Sequence, residues 1–424
     1  MIELPTTVAA NQENTTNVNT RYKSLDALRG FALLGILMMN IIGFAYPEAV
    51  YGNPFVMGAL DTANTIQWML SDIFFAEKFY TLFAGLFGAG IVLMAQQHAD
   101  ELNAKKRHRR RMFWLFWMGM LHAYALWWGD ILVTYAIAGI LIYPCRNWTI
   151  KRLCVWSVVL QAIFMLLMLA LYWSWGEMSI EEQQEIANDI TPSMALLQQE
   201  INAYTGSWWQ QASARVTSTF DFHVNALAVI QLRMCGIMML GIALFKSGIL
   251  QGQRSVTFYK LHALFGIAVG AVICAVGTWL IHTNGYILLD AFTLYREPNY
   301  WGTLVMAWGY LCAIVWLVKT VHSAAWRLKL TGYLAAVGRL ALSNYLLQSI
   351  VCTGIFYGWG LGLFAQLDRV ALTGVVIAVW IFQIGLSQWW LARFAMGPAE
   401  RVWRNLTQRQ WQPLMQRANA GQPG

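Results

Sequence analysis

The chain has 424 residues, 58% hydrophobic and 12% charged, where a soluble domain carries roughly 25% charged residues. That balance excludes an ordinary soluble fold, and 22 Trp with 21 Phe suit the interfacial belts and lipid-facing helices of a polytopic membrane protein. The formal charge of +8 is explained by topology and gives no reason to expect a nucleic-acid partner. Cys145, Cys154, Cys235, Cys274, Cys312 and Cys352 lie singly in apolar segments. With no CxxC or metal spacing, neither a disulfide nor a metal site is expected.

Residues 1–20 are polar and rich in Thr and Asn. They read as a disordered cytoplasmic tail, without the basic start and apolar stretch of a signal peptide. Ten apolar segments follow, at about 25–46, 71–97, 112–128, 131–146, 152–175, 222–246, 258–283, 298–320, 332–357 and 367–396. They predict an all-α integral membrane domain of about ten transmembrane helices over 21–410, with a second cytoplasmic tail at 411–424. With the N-terminus inside, 22 Lys and Arg fall in inner connections and three (Arg215, Arg296, Arg369) outside. This bias places both termini in the cytoplasm. The long segment 176–221 is then extracytoplasmic and acidic, with Glu177, Glu181, Glu182, Glu185 and Asp189 near its start. Its helical spacing fits a lid over the outer mouth; a solvated tether is the alternative.

The stretch 117–135, WMGMLHAYALWWGDILVTY, reads as a helical hairpin bent at Trp128-Gly129-Asp130. His122 lies six residues before Trp128, about 9 Å below the bend at ~1.5 Å per residue. Tyr135, five residues past Asp130, lies at a similar depth. A titratable ring, a carboxylate and a phenol are therefore expected to share one pocket. The bland alternatives are a hydrogen-bonded core histidine and an Asp that merely caps the next helix.

Charges within the spans need partners or a cavity. Arg29 follows Asp26 at i+3 near the cytoplasmic face, a spacing for an anchoring pair or for a site that holds an anionic group such as a phosphate. Arg339, about two turns into its helix from the same side, is placed to join that site. Arg233 falls near mid-membrane and is expected to line a cavity. Asn344 and Gln348 share a helix face, either joining helices or lining a cavity. Glu77 is expected to pair with the adjacent Lys78 or with another helix, and Lys78 is a further candidate to line a cavity.

Five stretches in order, RYKSLDALRGFALLGILMMNI, KFYTLFAGLFGAG, GMLHAYALWWGDILVTYA, GRLALSNYLLQS and GPAERVWRNLT, resemble the bacterial YeiB-like family, whose function is unknown. The first helix, with LDALRG before an apolar run, also resembles membrane acyltransferases: the bacterial polysaccharide O-acyltransferases and the lysosomal heparan-glucosaminide N-acetyltransferase. That resemblance implies an inner-membrane enzyme taking an acyl group from cytoplasmic acyl-CoA to an extracytoplasmic glycan or lipid. In the O-acyltransferases the first-helix Arg is followed after ten residues by a His; here Arg29 is followed by Asn40. Asn cannot act as a base, so His122 would have to supply that function, with Asp130 orienting it. Asn40, Tyr135 and Asn344 remain as polarising or positioning donors. Arg29, Arg339 and the basic cluster 105–111 would hold the acyl-CoA. A transporter of a small anionic or amphipathic solute, with Arg233, Arg339 and Arg29 as binding charges, is the alternative reading, and a non-catalytic membrane scaffold is a third.

Overall fold

The computed structural model describes residues 22–96, 100–284 and 286–411. The expected tail 1–20 and nearly all of 411–424 lie outside the described residues. Within them the chain is helical, with no strand: α1 Lys23–Ala45, α2 Glu48–Gly52, α3 Thr62–Phe74, α4 Lys78–Ala95, α5 Glu101–Ala125, α6 Leu132–Ile142, α7 Ile150–Ser174, α8 Ile180–Ile190, α9 Met194–Tyr204, α10 Trp208–Asp221, α11 Leu227–Lys246, α12 Val256–Thr283, α13 Leu288–Phe292, α14 Glu297–Lys319, α15 Ala325–Arg339, α16 Ala341–Phe356, α17 Arg369–Leu391 and α18 Pro398–Gln408.

Among the described residues, seven spans are long and apolar enough to cross a membrane, or eight if the bent pair α15–α16 counts as one. Length and apolarity alone therefore fall short of the expected ten. The difference lies in the hairpin: α6 has 11 residues, about 16 Å, against a hydrocarbon core of roughly 30 Å. The first turns of α5 are strongly basic, so its apolar part, 112–125, is about 21 Å and also short of the core.

Two expected segments are broken by turns inside the bundle. The segment 71–97 is interrupted between α3 and α4, with Glu77 at φ 65° in the left-handed region that a non-glycine residue occupies at a cost. The segment 332–357 turns by 81° between α15 and α16. The new N-terminus so created is capped from far along the chain. The Glu400 carboxylate in α18 accepts from the backbone N–H groups of Leu342 (2.7 Å) and Ser343 (3.1 Å) and from the Ser343 hydroxyl. An acidic group satisfying the orphan donors of a helix start is favoured by hydrogen bonding and by the helix dipole alike.

Helix α1 is the most enclosed of the spans, and it approaches α15 backbone to backbone. A Cβ on Gly30 would meet the Leu334 carbonyl, and one on Gly338 would meet the Asp26 carbonyl. Glycine is required at this crossing because no side chain fits between the two main chains. The segment 176–221 is neither a tether nor irregular: it forms α8, α9 and α10, two of them with capping boxes (Ser179/Glu182 and Ser207/Gln210).

Gly338→Ala is expected to destabilise the protein by about 1–3 kcal/mol through overpacking. Gly332→Ala on the same helix, where a methyl group meets nothing, is expected to be neutral or slightly stabilising. Thermal melting in detergent compares the two.

Candidate functional site

The hairpin expected around the Trp-Gly-Asp bend is present, and its polar groups converge. Helix α5 ends after Ala125, and the chain turns through Trp127 and Trp128 into α6. Trp127 fixes the turn to α1: its Nε1 donates to the Gly43 carbonyl (2.9 Å) and its ring stacks on Phe44 at 4.0 Å. Asp130 then reaches both ways. One carboxylate oxygen accepts from the Val133 backbone N–H (2.9 Å), capping α6, and the other lies 2.8 Å from His122 Nδ1.

A third group completes the arrangement. His122 Nε2 lies 2.7 Å from Ser349 Oγ on α16. Because the carboxylate only accepts, Nδ1 carries a proton; in the neutral ring Nε2 then presents its lone pair to the Ser349 hydroxyl, which also lies 3.5 Å from the Tyr345 carbonyl. His122, Asp130 and Ser349 are each 2% exposed or less. The contacts run in the order of a Ser–His–Asp relay, a geometry in which a carboxylate can fix the tautomer and an imidazole can take a hydroxyl proton.

The cover on this end is built from the segment 176–221. The last carbonyls of α5 have no intrahelical partners, and α10 supplies them. Thr219 Oγ1 donates to Ala123 (3.3 Å), Arg215 Nε to Tyr124 (2.9 Å) and Trp208 Nε1 to Ala125 (3.1 Å). Arg215, counted from sequence as an outer loop charge, is in fact buried against the hairpin beneath the Trp208 ring. On the other flank, Glu200 in α9 accepts from the Glu48 N–H at 3.0 Å.

Beneath this cover lies a cavity of about 470 Å³ whose wall includes Asn40, Asp130, Glu77, Arg233, Ile190 and Phe222. His122 and Ser349 stand behind the wall, and Asp130 faces both the cavity and the imidazole. Arg233 lines the cavity as expected. Its Nη2 pairs with Glu77 Oε2 at 2.7 Å, and Tyr300, Phe164 and Tyr80 surround its guanidinium at 4.6, 5.4 and 5.6 Å. The left-handed turn at Glu77 is what presents this carboxylate to α11.

Several expected positions are corrected. Tyr135 does not join His122: its hydroxyl donates to the Tyr80 carbonyl (3.3 Å) and its ring stacks among Phe83 and Phe87. Equal depth is not equal face. Tyr345 stands beside the imidazole instead, its ring centroid 5.1 Å away and its hydroxyl accepting from the Ile131 N–H at 3.3 Å. Asn344 and Gln348 line none of the described cavities. Asn344 donates to Ser387 Oγ (2.9 Å) and Gln348 to Gln383 Oε1 (2.9 Å), joining α16 to α17. Of the two expected partners for Glu77 the structure shows another helix, through Arg233 of α11, and not Lys78; Lys78 lines no described cavity and is fully buried, donating to the Asp72 carbonyl of α3 at 2.7 Å. Asp26 and Arg29 form the expected pair at 3.3 Å. Arg339 closes α15 and reaches the Ala395 carbonyl at 3.5 Å.

Two features escaped the sequence reading. Ser349 ends the GRLALSNYLLQS stretch, and its i,i+4 spacing from Tyr345 was the available signal. Asp72, buried in α3, binds Arg296 Nη1 (2.6 Å), Thr278 Oγ1 (2.6 Å) and Asn299 Nδ2 (2.7 Å). It holds α3, α12 and α14 together.

At the opposite end of the bundle, part of the basic cluster 105–111 forms a second polar cavity, of about 450 Å³, between α5 and α18. Arg107, Arg111 and Arg404 line it, and the Arg111 guanidinium lies 4.3 Å over the Trp403 ring with its Nη1 buried and unbonded. Arg111 and His122 are eleven residues apart on α5. That is close to three full turns, so both project from one face about 16 Å apart.

Removing Glu77 alone (Glu77→Leu) strands the buried Arg233 charge and is expected to cost on the order of 3–5 kcal/mol. The Glu77→Leu, Arg233→Met double variant should recover most of that loss. A double-mutant cycle on detergent-solubilised protein measures the coupling; additive single effects would deny the pair its role.

Comparison with known proteins agrees with this layout only at the level of family. Residues 244–410 match a family model described as "Protein of unknown function (DUF418)". Over 406 residues the chain is 30% identical to "Uncharacterized protein YeiB" of Escherichia coli (strain K12), covering 94% of this chain and 99% of that protein. It is 29% identical over 417 residues to "Uncharacterized protein YxaH" of Bacillus subtilis (strain 168), covering 94% and 97%. The chain therefore belongs to the YeiB-like family of membrane proteins of unknown function.

Proposed function

We propose that this protein is an acyltransferase of the bacterial inner membrane, moving an acyl group from cytoplasmic acyl-CoA to an acceptor on the outer side. The observation that carries this reading is the buried relay of Asp130, His122 and Ser349, with hydrogen bonds of 2.8 and 2.7 Å beside a cavity. The positive-inside bias orients the chain with both termini and the basic cavity in the cytoplasm. The α5–α6 hairpin and the bent α15–α16 pair then complete ten crossings, and the helical segment 176–221 covers the outer mouth.

The chemistry is a double displacement. The Ser349 oxygen attacks the thioester carbonyl as its proton passes to His122 Nε2. Collapse of the tetrahedral adduct breaks the C–S bond, and the imidazolium returns the proton to the departing thiolate. An acceptor hydroxyl or amine then attacks the acyl-serine, its proton passing through His122 back to the Ser349 oxygen. Asp130 holds the tautomer and steadies the imidazolium throughout. Since Ser349 stands behind the wall of the outer cavity, the acceptor reaches it only when the wall around the Trp128–Gly129 turn opens, while the donor comes from the opposite, cytoplasmic end.

The basic cavity suits the phosphates of CoA. Arg111 offers an unbonded Nη1, Arg107 and Arg404 add charge, and Trp403 adds an aromatic face. Arg111 and His122 share a face of α5 about 16 Å apart, a distance an extended pantetheine arm would span once Leu115 and Gly119, packed on the face between them, give way. Arg29 with Asp26, and Arg339, are placed nearby as further anchors. Against the transporter reading, Arg233 is already neutralised by Glu77.

Thermal shift with acetyl-CoA and longer acyl-CoAs, with free CoA as control, tests the donor. Saturable stabilisation is expected, about 2.7 kcal/mol at a hundredfold excess over Kd, and it should weaken in Arg111→Ala and Arg29→Ala. Folded protein that responds to no CoA species would reject the reading and favour the transporter.

A further inference from the structure

Arg369 opens α17 and is only 6% exposed. Its guanidinium nevertheless makes no hydrogen bond and no ion pair among the described residues. It lines a small cavity of about 30 Å³, walled by α1, α2, α3 and the start of α17, with Arg296 and Asp72 in the same wall. The Asp72 carboxylate is already taken, by Arg296 (2.6 Å), Thr278 (2.6 Å) and Asn299 (2.7 Å). Asp368, the neighbour of Arg369 in the chain, is exposed and caps α17 through the Ala371 N–H. Lys78, bonded to the Asp72 carbonyl, adds another positive charge alongside. The wall therefore holds two guanidiniums against one carboxylate. Two further donors in it lack an acceptor among the described residues. The Trp68 indole N–H bonds nothing, and the Ser71 hydroxyl accepts from Gln67 Nε2 (2.9 Å) without donating in turn. Gln67 Oε1 is also unbonded, but an amide oxygen carries no charge to offset Arg369.

We propose that this cavity is a binding site for one small monovalent anion, a halide such as chloride, with Arg369 as its main partner. A buried charge persists when it is paired, and an unpaired one is costly. Guanidinium and indole N–H groups only donate, so what fills the cavity has to accept. A water molecule would accept but leave the excess positive charge standing. Size narrows the choice: the cavity has room for roughly one water-sized particle, too little for a phosphate or an organic carboxylate. Tyr51 belongs both to this wall and to that of the cavity beside the relay. The ion therefore ties α17 and α3 to α2 next to that cavity. The site stands on its own geometry and does not depend on acyl transfer.

The test follows thermal melting of the full-length protein in detergent as sodium gluconate is replaced by sodium chloride at constant ionic strength. A saturable rise in melting temperature is expected, as for a ligand that binds the folded state alone. Arg369→Gln should abolish the rise and, in gluconate, melt no lower than the unmodified protein, because it removes an unpaired charge. If Arg369→Gln does not fold, Trp68→Phe keeps the charge, removes one donor and should weaken the apparent chloride affinity about threefold to tenfold. The chloride NMR linewidth reads binding directly: the unmodified protein should broaden it in a way that added bromide reverses. Equal melting in chloride and gluconate would assign the cavity to water and overturn the proposal. A rise that never saturates, or one that Arg369→Gln retains in full, marks a general salt effect and would overturn it too.

Discussion

An imidazole with both nitrogens bonded, sealed inside an apolar helix bundle, is the constraint on which this structure depends. In such surroundings an unmet hydrogen-bonding group costs several kcal/mol, so the positions of His122's partners are not free to drift. Asp130 can reach Nδ1 because the hairpin turns directly after Trp127 and Trp128. Ser349 can reach Nε2 because α16 starts afresh at an 81° break, held by the Glu400 carboxylate of the last helix. Trp403, one turn along from Glu400, also donates to the Arg111 carbonyl at 2.9 Å. Helices α5, α16 and α18 therefore form one connected frame, with the relay at one end and the basic cavity at the other.

The other buried charges obey the same demand with separate solutions. Arg233 meets Glu77 across α4 and α11, and Arg296 meets Asp72 across α14 and α3. Each pair joins helices distant in sequence; Glu77 and Arg233 line the cavity beside the relay, and Asp72 and Arg296 a separate small one. Pairing of this kind is an expensive way to gain stability.

How much of this was legible in the sequence follows from where the partners lie. Helical class, the hairpin and the Asp26–Arg29 pair depend on residues within a turn or a short loop of each other, and periodicity exposes them. His122 and Asp130 are eight residues apart, so the bend alone brings them together. Ser349 is 227 residues from His122, and no local pattern couples them. Tyr135 was misassigned because depth along a helix can be counted from the sequence, whereas the face it presents depends on which helix packs there. The turn at Glu77 and the break at Leu340 were missed because apolar runs continue through both. What fixes them is tertiary: the Arg233 partner in one case and the Glu400 cap in the other.

The central claim is that His122, Asp130 and Ser349 act as one catalytic unit. It is tested most directly by continuous release of CoA thiol from acyl-CoA by the protein in proteoliposomes with an amine or hydroxyl acceptor present. The account predicts turnover that falls by roughly a thousandfold or more in His122→Gln and in Ser349→Ala. The double variant should lose little further, since members of such a unit are not additive. Full activity in either single variant, in protein that melts normally, would contradict it.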